Sequence, residues 1–474
     1  MWLPMPSRRS FLQTSALASG SLVLGSAAAA QQTRPSREKR EAPQRPAPGT
    51  NPVLSVALVG CGGRGLGAAR QTLIADPDTK LVAMCDAFSE QVQSGLSTLG
   101  GIEEIADRID APEARQFVGL DCCERMLAEV PDVDIVLLCS PPFFRPPQLE
   151  SVIEAGKHVF AEKPVATDIV GLKSVIETCR KAAEKKLSVV SGLCWRYETG
   201  MIETQRKIAE GLIGRPLHAQ SVRYSGLVGR SQPGEYATEF ERQLRNWYFY
   251  TWLSGDFIVE QFVHDLDQIA WAMGEYPTKC IATGGRETRP DEQGNIFDHF
   301  AALYTFPSGA TYTATTRHQN GCTGLYYNQV TGTEGTVDLM RYTAETAGGE
   351  RLFRGRRGVV PMHQAEHDRM YETLRRGERT DNSEYMIQST LMGLLGRESA
   401  YTGRELSTEE LLASNLSLQP SAIDWAADTP PADVAVPGVT TLTRGATPAA
   451  ADAGNTPEAE QTETKQTEAN DTNE

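Results

Sequence analysis

The chain has 474 residues, 40% hydrophobic and 23% charged, a length that suggests two to three domains at roughly 150 residues each. Its formal net charge of -15 argues against a nucleic-acid groove, which needs concentrated Lys and Arg to meet phosphates. The apolar run at 17–30 is diluted by Ser and Gly and too short to span a bilayer comfortably; no stable membrane insertion is expected after processing.

That run belongs to a targeting segment. Ser7-Arg8-Arg9-Ser10-Phe11-Leu12 has the twin-arginine arrangement, followed by a mildly apolar stretch and the small-residue end Ala28-Ala29-Ala30. Residues 1–30 are therefore expected to be a signal that exports the folded protein, giving a periplasmic or other extracytoplasmic location. Residues 31–52 are Pro-rich and charged with almost no large apolar side chain, and read as a disordered linker. The nine cysteines contain no Cys-x-x-Cys pair, and free thiols are expected.

Residues 53–194 alternate near-continuous apolar runs with helical patterns. The runs at 53–60, 80–86, 133–140, 158–163 and 187–192 have the character of buried parallel strands, and 65–75 and 168–185 that of helices. Such alternation predicts a doubly wound α/β domain. Directly after the first strand comes Gly60-Cys61-Gly62-Gly63-Arg64-Gly65, which fits G-x-G-x-x-G with glycines at 60, 62 and 65. Glycine permits the tight turn, the approach of a pyrophosphate and close packing of helix on strand. Asp86 ends the second strand about twenty residues on, where a carboxylate accepts the ribose hydroxyls of a dinucleotide. NAD is the expected cofactor; NADP stays open because Arg64 in the loop could meet a phosphate.

After Trp195 the segments at 218–226, 297–306 and 310–318 are rich in β-branched and aromatic residues. Residues 195–425 are thus predicted to form an α+β domain with a largely antiparallel sheet, closed by a helical stretch at 383–403. Within 255–271 (GDFIVEQFVHDLDQIAW), Glu260, His264 and Asp267 are spaced by four and three, which puts them on one face if the stretch is helical. Histidine can take a proton near neutrality, and a carboxylate beside it can hold its tautomer and tune its basicity. The string His363-Gln364-Ala365-Glu366-His367 matches H-x-x-E-H, but it lies in a run crowded with Arg and Glu. A solvated helix face is the better reading, and no metal is expected. Residues 426–474 read as a disordered acidic tail.

The order of the glycine loop, the strand end Cys139-Ser140-Pro141-Pro142 and then Ala155-Gly156-Lys157-His158-Val159-Phe160-Ala161-Glu162-Lys163-Pro164 resembles the glucose–fructose oxidoreductase, inositol dehydrogenase and MocA (Gfo/Idh/MocA) family. Further matches are Gly211-x-x-Gly214-x-Pro216, Gly332-x-x-Gly335 and the end LGRESAYTG, so the resemblance covers about residues 53–415. It implies a Rossmann domain that binds NAD(P) through Gly60, Gly62, Gly63, Arg64, Gly65, Asp86, Ser140, Pro141, Glu162 and Lys163. It also implies hydride transfer to or from a secondary alcohol of a carbohydrate or cyclic polyol, with Lys163 touching nicotinamide ribose and substrate. The catalytic group would be Lys163, His264 and Glu260, and a homo-oligomer is expected. Two departures stand out: Glu260 where the family has Asp, and Phe143-Phe144-Arg145 where members often carry histidine. Two alternatives remain: redox-neutral glycoside hydrolysis or epimerisation through transient sugar oxidation, and a non-catalytic protein that binds dinucleotide and sugar.

Overall fold

A computed structural model of the chain describes residues 48–229, 232, 234–426 and 433–443. The targeting segment 1–30, most of the linker and most of the tail lie outside the described residues. Among the described residues no helix is long and apolar enough to cross a membrane.

Six short strands form the first sheet: β1 (Leu54–Val59), β2 (Thr79–Asp86), β3 (Gln116–Val118), β4 (Ile135–Leu138), β5 (His158–Ala161) and β6 (Val189–Ser191). All pairs are parallel, in the order β3-β2-β1-β4-β5-β6. Val56, Leu58, Ile135, Leu137 and Phe160 are fully buried, as strands covered by helices on both faces must be. The order reverses between β1 and β4, which opens a crevice beyond their carboxyl ends.

The second sheet has nine strands: β7 (Pro216–Ser225), β8 (Lys279–Gly285), β9 (His299–Thr305), β10 (Thr311–His318), β11 (Leu325–Gly332), β12 (Thr336–Asp338), β13 (Thr343–Glu345), β14 (Arg351–Arg354) and β15 (Leu406–Ser407). Their order is β14-β13-β12-β11-β7-β10-β9-β8-β15. Every neighbour is antiparallel except the central pair β7 and β10. Tyr312, Ala314, Thr316 and His318 alternate inward along β10, toward the helices Val263–Met273 and Ser383–Thr402, while Ile281 and Leu303 stay 48% and 41% exposed on the other face.

Three local expectations are corrected. The stretch 255–271 is not one helix: a turn at Phe257–Glu260 stops, and a new helix runs Val263–Met273. The turn is entered through Gly255 (φ +84) and Asp256 (φ +70). The Asp256 carboxylate fixes this corner by accepting from Phe257 N at 2.5 Å, Phe297 N at 2.9 Å and the Tyr401 hydroxyl at 2.5 Å. Second, the helix Met362–Arg375 is not a solvated face. It returns to the first sheet, where Met370 and Tyr371 join the core and Arg375 pairs with Asp76 at 2.6 Å. Third, residues 433–443 of the expected acidic tail lie on the second sheet's core, with Val434, Ala435 and Leu442 packed against it and Gly438 N donating to Thr402 O. The segment 433–443 carries one acidic residue, Asp433, and its apolar side chains suffice to hold it down.

Candidate active site

The glycines of the loop divide their work. Gly60 sits at φ +94, and a Cβ there would lie 2.5 Å from Ser140 N; a Cβ on Gly65 would lie 1.9 Å from Gly60 O. These two allow the turn and the close packing of the helix Gly63–Ala75. A Cβ on Gly62 or Gly63 would meet nothing within 4 Å, and both residues border a cavity of about 360 Å³. They leave room at a helix N-terminus, where unpaired N–H groups and the dipole favour phosphate. Asp86 faces the same cavity. Its carboxylate accepts from Cys61 N at 2.7 Å and Phe88 N at 3.0 Å. Burial pushes its pKa up, and these N–H groups work against that rise. Ser140 and Pro141 line the opposite wall. Shape and donors fit a dinucleotide.

Arg64 also borders the cavity, yet its charge is already engaged. Nε lies 2.8 Å from Glu162 Oε1, and Nη2 donates to Gln71 Oε1 at 2.6 Å. Arg64 is thus paired with protein side chains in this structure.

Lys163 follows the end of β5. Its ammonium donates to the Glu260 carbonyl at 2.6 Å and to Glu260 Oε1 at 2.7 Å, and both side chains are 14% exposed. The break after Glu260 makes this possible, because that carbonyl accepts from the lysine. Glu260 therefore supports Lys163, and no carboxylate sits on His264. Asp267 instead takes Arg196 through Nε at 2.9 Å and Nη2 at 2.8 Å, and Ser389 Oγ at 2.8 Å. Arg196 itself lies between the rings of Trp271 and Tyr385, at 4.5 and 4.2 Å. Trp195-Arg196-Tyr197 is thus held in a structural junction. Nδ1 of His264 is buried without a protein partner. Burial, then Lys163 and Arg223, hold its imidazole well below the usual range, hence uncharged at neutral pH.

Behind the lysine lies a buried charged group that sequence spacing does not reveal. Glu162 is 4% exposed and packs under Gly192, where a Cβ would come within 2.5 Å of its Oε2. Glu366 is fully buried, 3.4 Å from His363 Nδ1. Burial, reinforced by Glu162, pushes its carboxyl up to about 7. His367 points elsewhere, bonding Thr72 Oγ1 at 3.0 Å and packing on Phe160 at 4.4 Å. The H-x-x-E-H string was visible; its burial was not. Among the described residues no three His, Cys, Asp or Glu side chains come together as a metal site. Arg145, in the segment where family members often carry histidine, is buried, donating to the Ser140 carbonyl at 2.5 Å and to the Pro164 carbonyl. Phe143 packs edge-on against Trp252 at 4.9 Å.

Residues 54–190 match the Gfo/Idh/MocA model described as an oxidoreductase family with an NAD-binding Rossmann fold, and residues 201–338 match the Gfo/Idh/MocA C-terminal domain. Glycosyl hydrolase family 109 protein 1 of Bacteroides fragilis is 29% identical over 169 residues, 35% of this chain and 34% of that protein. Inositol 2-dehydrogenase/D-chiro-inositol 3-dehydrogenase of Lacticaseibacillus casei is 22% identical over 183 residues, 39% of this chain and 46% of that one. The chain thus matches between a third and a half of the length of these relatives. In three dimensions it is similar to aldose-aldose oxidoreductase from Caulobacter crescentus (TM-score 0.59, 20% identity, 75% of this chain and 99% of that chain). It is also similar to a protein of gentamicin A biosynthesis in complex with NAD (TM-score 0.58, 19% identity, 78% and 99%).

Proposed function

Because the chain belongs to the Gfo/Idh/MocA oxidoreductase family and carries its NAD-binding domain, we propose that it moves a hydride between bound NAD and a secondary alcohol of a carbohydrate or cyclic polyol. The observation that carries this reading is the Lys163–Glu260 arrangement. An ammonium has three donors, and Glu260 takes two of them. The third is left for a substrate oxygen. NAD held by Gly62, Gly63 and Asp86 supplies the hydride acceptor. As the alcohol loses its proton, Lys163 stabilises the negative oxygen and the uncharged His264 accepts the proton. Such assistance is worth roughly 10²–10⁴-fold. Glu260 holds the lysine in place through both its carbonyl and its carboxylate.

The similarity to a family 109 glycosyl hydrolase supports a second reading, in which oxidation is transient and NAD is restored within one catalytic cycle. Arg8-Arg9 favours that version, since the proposed export leaves the enzyme without a pool of NAD to exchange. The exposed outer face around Ile281 and Leu303 supports a homo-oligomer. The deciding experiment adds sugars, cyclic polyols and aryl glycosides to the NAD-loaded protein in deuterated water. Accumulating NADH signals net dehydrogenation; glycoside cleavage or epimerisation with deuterium incorporation signals the redox-neutral cycle. A loaded protein that does neither, with any of these compounds, overturns catalysis in favour of binding alone.

A further inference from the structure

The far end of the cofactor cleft is not closed by the first sheet's own residues. Beyond Asp86, the cavity is bordered by Phe88 on one side and by Leu244, Arg245 and Trp247 on the other. These last three come from the segment between β7 and the turn Phe257–Glu260, in and just after the helix Glu239–Arg245, which Thr238 caps by accepting from Glu241 N. That segment reaches across from the second domain. Arg245 is its point of attachment: Nη1 donates to Glu90 Oε1 at 2.6 Å, Nε to Glu241 Oε1 at 2.8 Å, and the guanidinium lies 3.8 Å from the centre of the Phe88 ring. Trp425, from the other end of the second domain, braces the arrangement against Phe88 at 5.5 Å and Phe240 at 5.8 Å. Phe240, Leu244, Phe249 and Trp252 form a buried cluster onto which Phe88 packs.

We propose that residues 238–252 are a strap across the adenosine half of the NAD site, and that Arg245, clipped to Glu90 and Phe88, sets how slowly NAD leaves. The proposal rests on the reading that the glycine-loop cleft holds NAD. Its physical basis is position. Asp86, four residues before Glu90, is the acceptor for the adenosine ribose, so a group fixed on Glu90 and Phe88 and bordering the same cavity stands over that ribose and its base. Dissociation then needs the Arg245 contacts to open as well as the cofactor's own. A strap of this kind suits a protein that must keep its dinucleotide after leaving the compartment where NAD is made.

The pair is partly exposed, with 23% and 54% of the two side chains accessible. Exposed pairs contribute little to folding, so Arg245→Ala and Glu90→Gln are expected to fold, which a thermal melt of each variant checks. The rate at which NADH leaves is read by displacement with excess NAD and loss of bound-NADH fluorescence. Arg245→Ala should speed release at least tenfold, or about 1.4 kcal/mol, and Glu90→Gln should shift it in the same direction. Two fragments separate the strap from general damage. ADP-ribose, which carries the adenosine half, should bind Arg245→Ala at least tenfold more weakly than wild type. Reduced nicotinamide mononucleotide, which lacks that half, should bind both equally. If wild type binds NADH and the variant releases it less than tenfold faster, the strap is overturned while the cofactor assignment stands. If both fragments weaken together, Arg245 is a general structural residue and the strap is overturned too. If wild type binds no dinucleotide, the reading beneath the proposal is what fails.

Discussion

The pyrophosphate side of the cleft comes from the loop Gly60–Gly65 with Asp86 at the next strand end, where backbone N–H groups of Cys61 and Phe88 hold the carboxylate. The side proposed to react joins Lys163 to Glu260 across 97 residues, and Glu366, from the returning helix, is buried near Glu162. The first half works by leaving things out: side chains at Gly62 and Gly63, and steric bulk at Gly60 and Gly65. The second works by burying charges and pairing them. A motif can encode absence of bulk locally, whereas a buried pair exists only when the fold brings its members together.

The largest effect expected is on the reacting side. Lys163→Ala and His264→Ala should each lower turnover by about 10²–10⁴-fold while NAD titration stays within a few-fold of wild type. Full activity in either variant would remove that residue from the chemistry. Glu260→Gln should be milder than Lys163→Ala, because the backbone carbonyl still holds the ammonium.

On the pyrophosphate side, Gly65→Ala and Gly62→Ala should part company. A Cβ at Gly65 would lie 1.9 Å from a carbonyl oxygen, a clash that only backbone movement relieves, so a loss of about 3 kcal/mol is expected from denaturant midpoints. Gly62→Ala should leave stability within about 1 kcal/mol and weaken NAD instead, since its methyl would enter the cavity. Equal stability losses in the two variants would contradict the division of roles among the glycines.

Both strand patterns and the loop were legible in the sequence because period and composition are local quantities. The five apolar runs at 53–192 became β1, β2, β4, β5 and β6, and the antiparallel character after Trp195 was readable, though the parallel pairing of β7 with β10 was not. Two features escaped for related reasons. The positions of Glu260 and His264 were found, but a helical spacing rule assigned the carboxylate to the histidine, and the break at Gln261-Phe262 gave it to Lys163. Glu366 lay in a run of Arg and Glu that looks solvated, and nothing in its neighbours announces that the helix Met362–Arg375 folds back onto the first sheet.

Glu366 itself provides a pH test of that burial. Its carboxyl is pushed up to about 7 by burial, from an ordinary value of about 4.3 in the unfolded chain. Between these values the folded protein binds a proton that the unfolded chain does not, so this group's contribution to stability falls as pH rises through the window. Above pH 7 it carries a buried charge at a cost on the order of 3 kcal/mol. Glu366→Gln should therefore match wild type near pH 4 to 5 and exceed it at pH 8. A variant less stable than wild type at pH 8 would show that Arg64 and His363 more than offset the burial.

The smallest effect concerns the choice between NAD and NADP. Asp86 carries the expectation of NAD, because a 2′-phosphate on the adenosine ribose would place its charge against that carboxylate. Two arginines border the cavity and could reverse the preference, but each is already paired, Arg64 with Glu162 at 2.8 Å and Arg245 with Glu90 at 2.6 Å and Glu241 at 2.8 Å. The balance near the ribose therefore stays negative. Titration of cofactor-free protein should show NAD bound at least tenfold more tightly than NADP, or about 1.4 kcal/mol. Asp86→Ala should narrow the gap mainly by improving NADP, since it removes a repulsion as well as a ribose contact. Raising the salt concentration should narrow it less in Asp86→Ala than in wild type, because screening acts only on the charged term. Tighter NADP binding by wild type would mean that Arg64 leaves Glu162 for the phosphate, and the partly buried ion pair beside Lys163 would then be a cofactor-dependent arrangement rather than a fixed one.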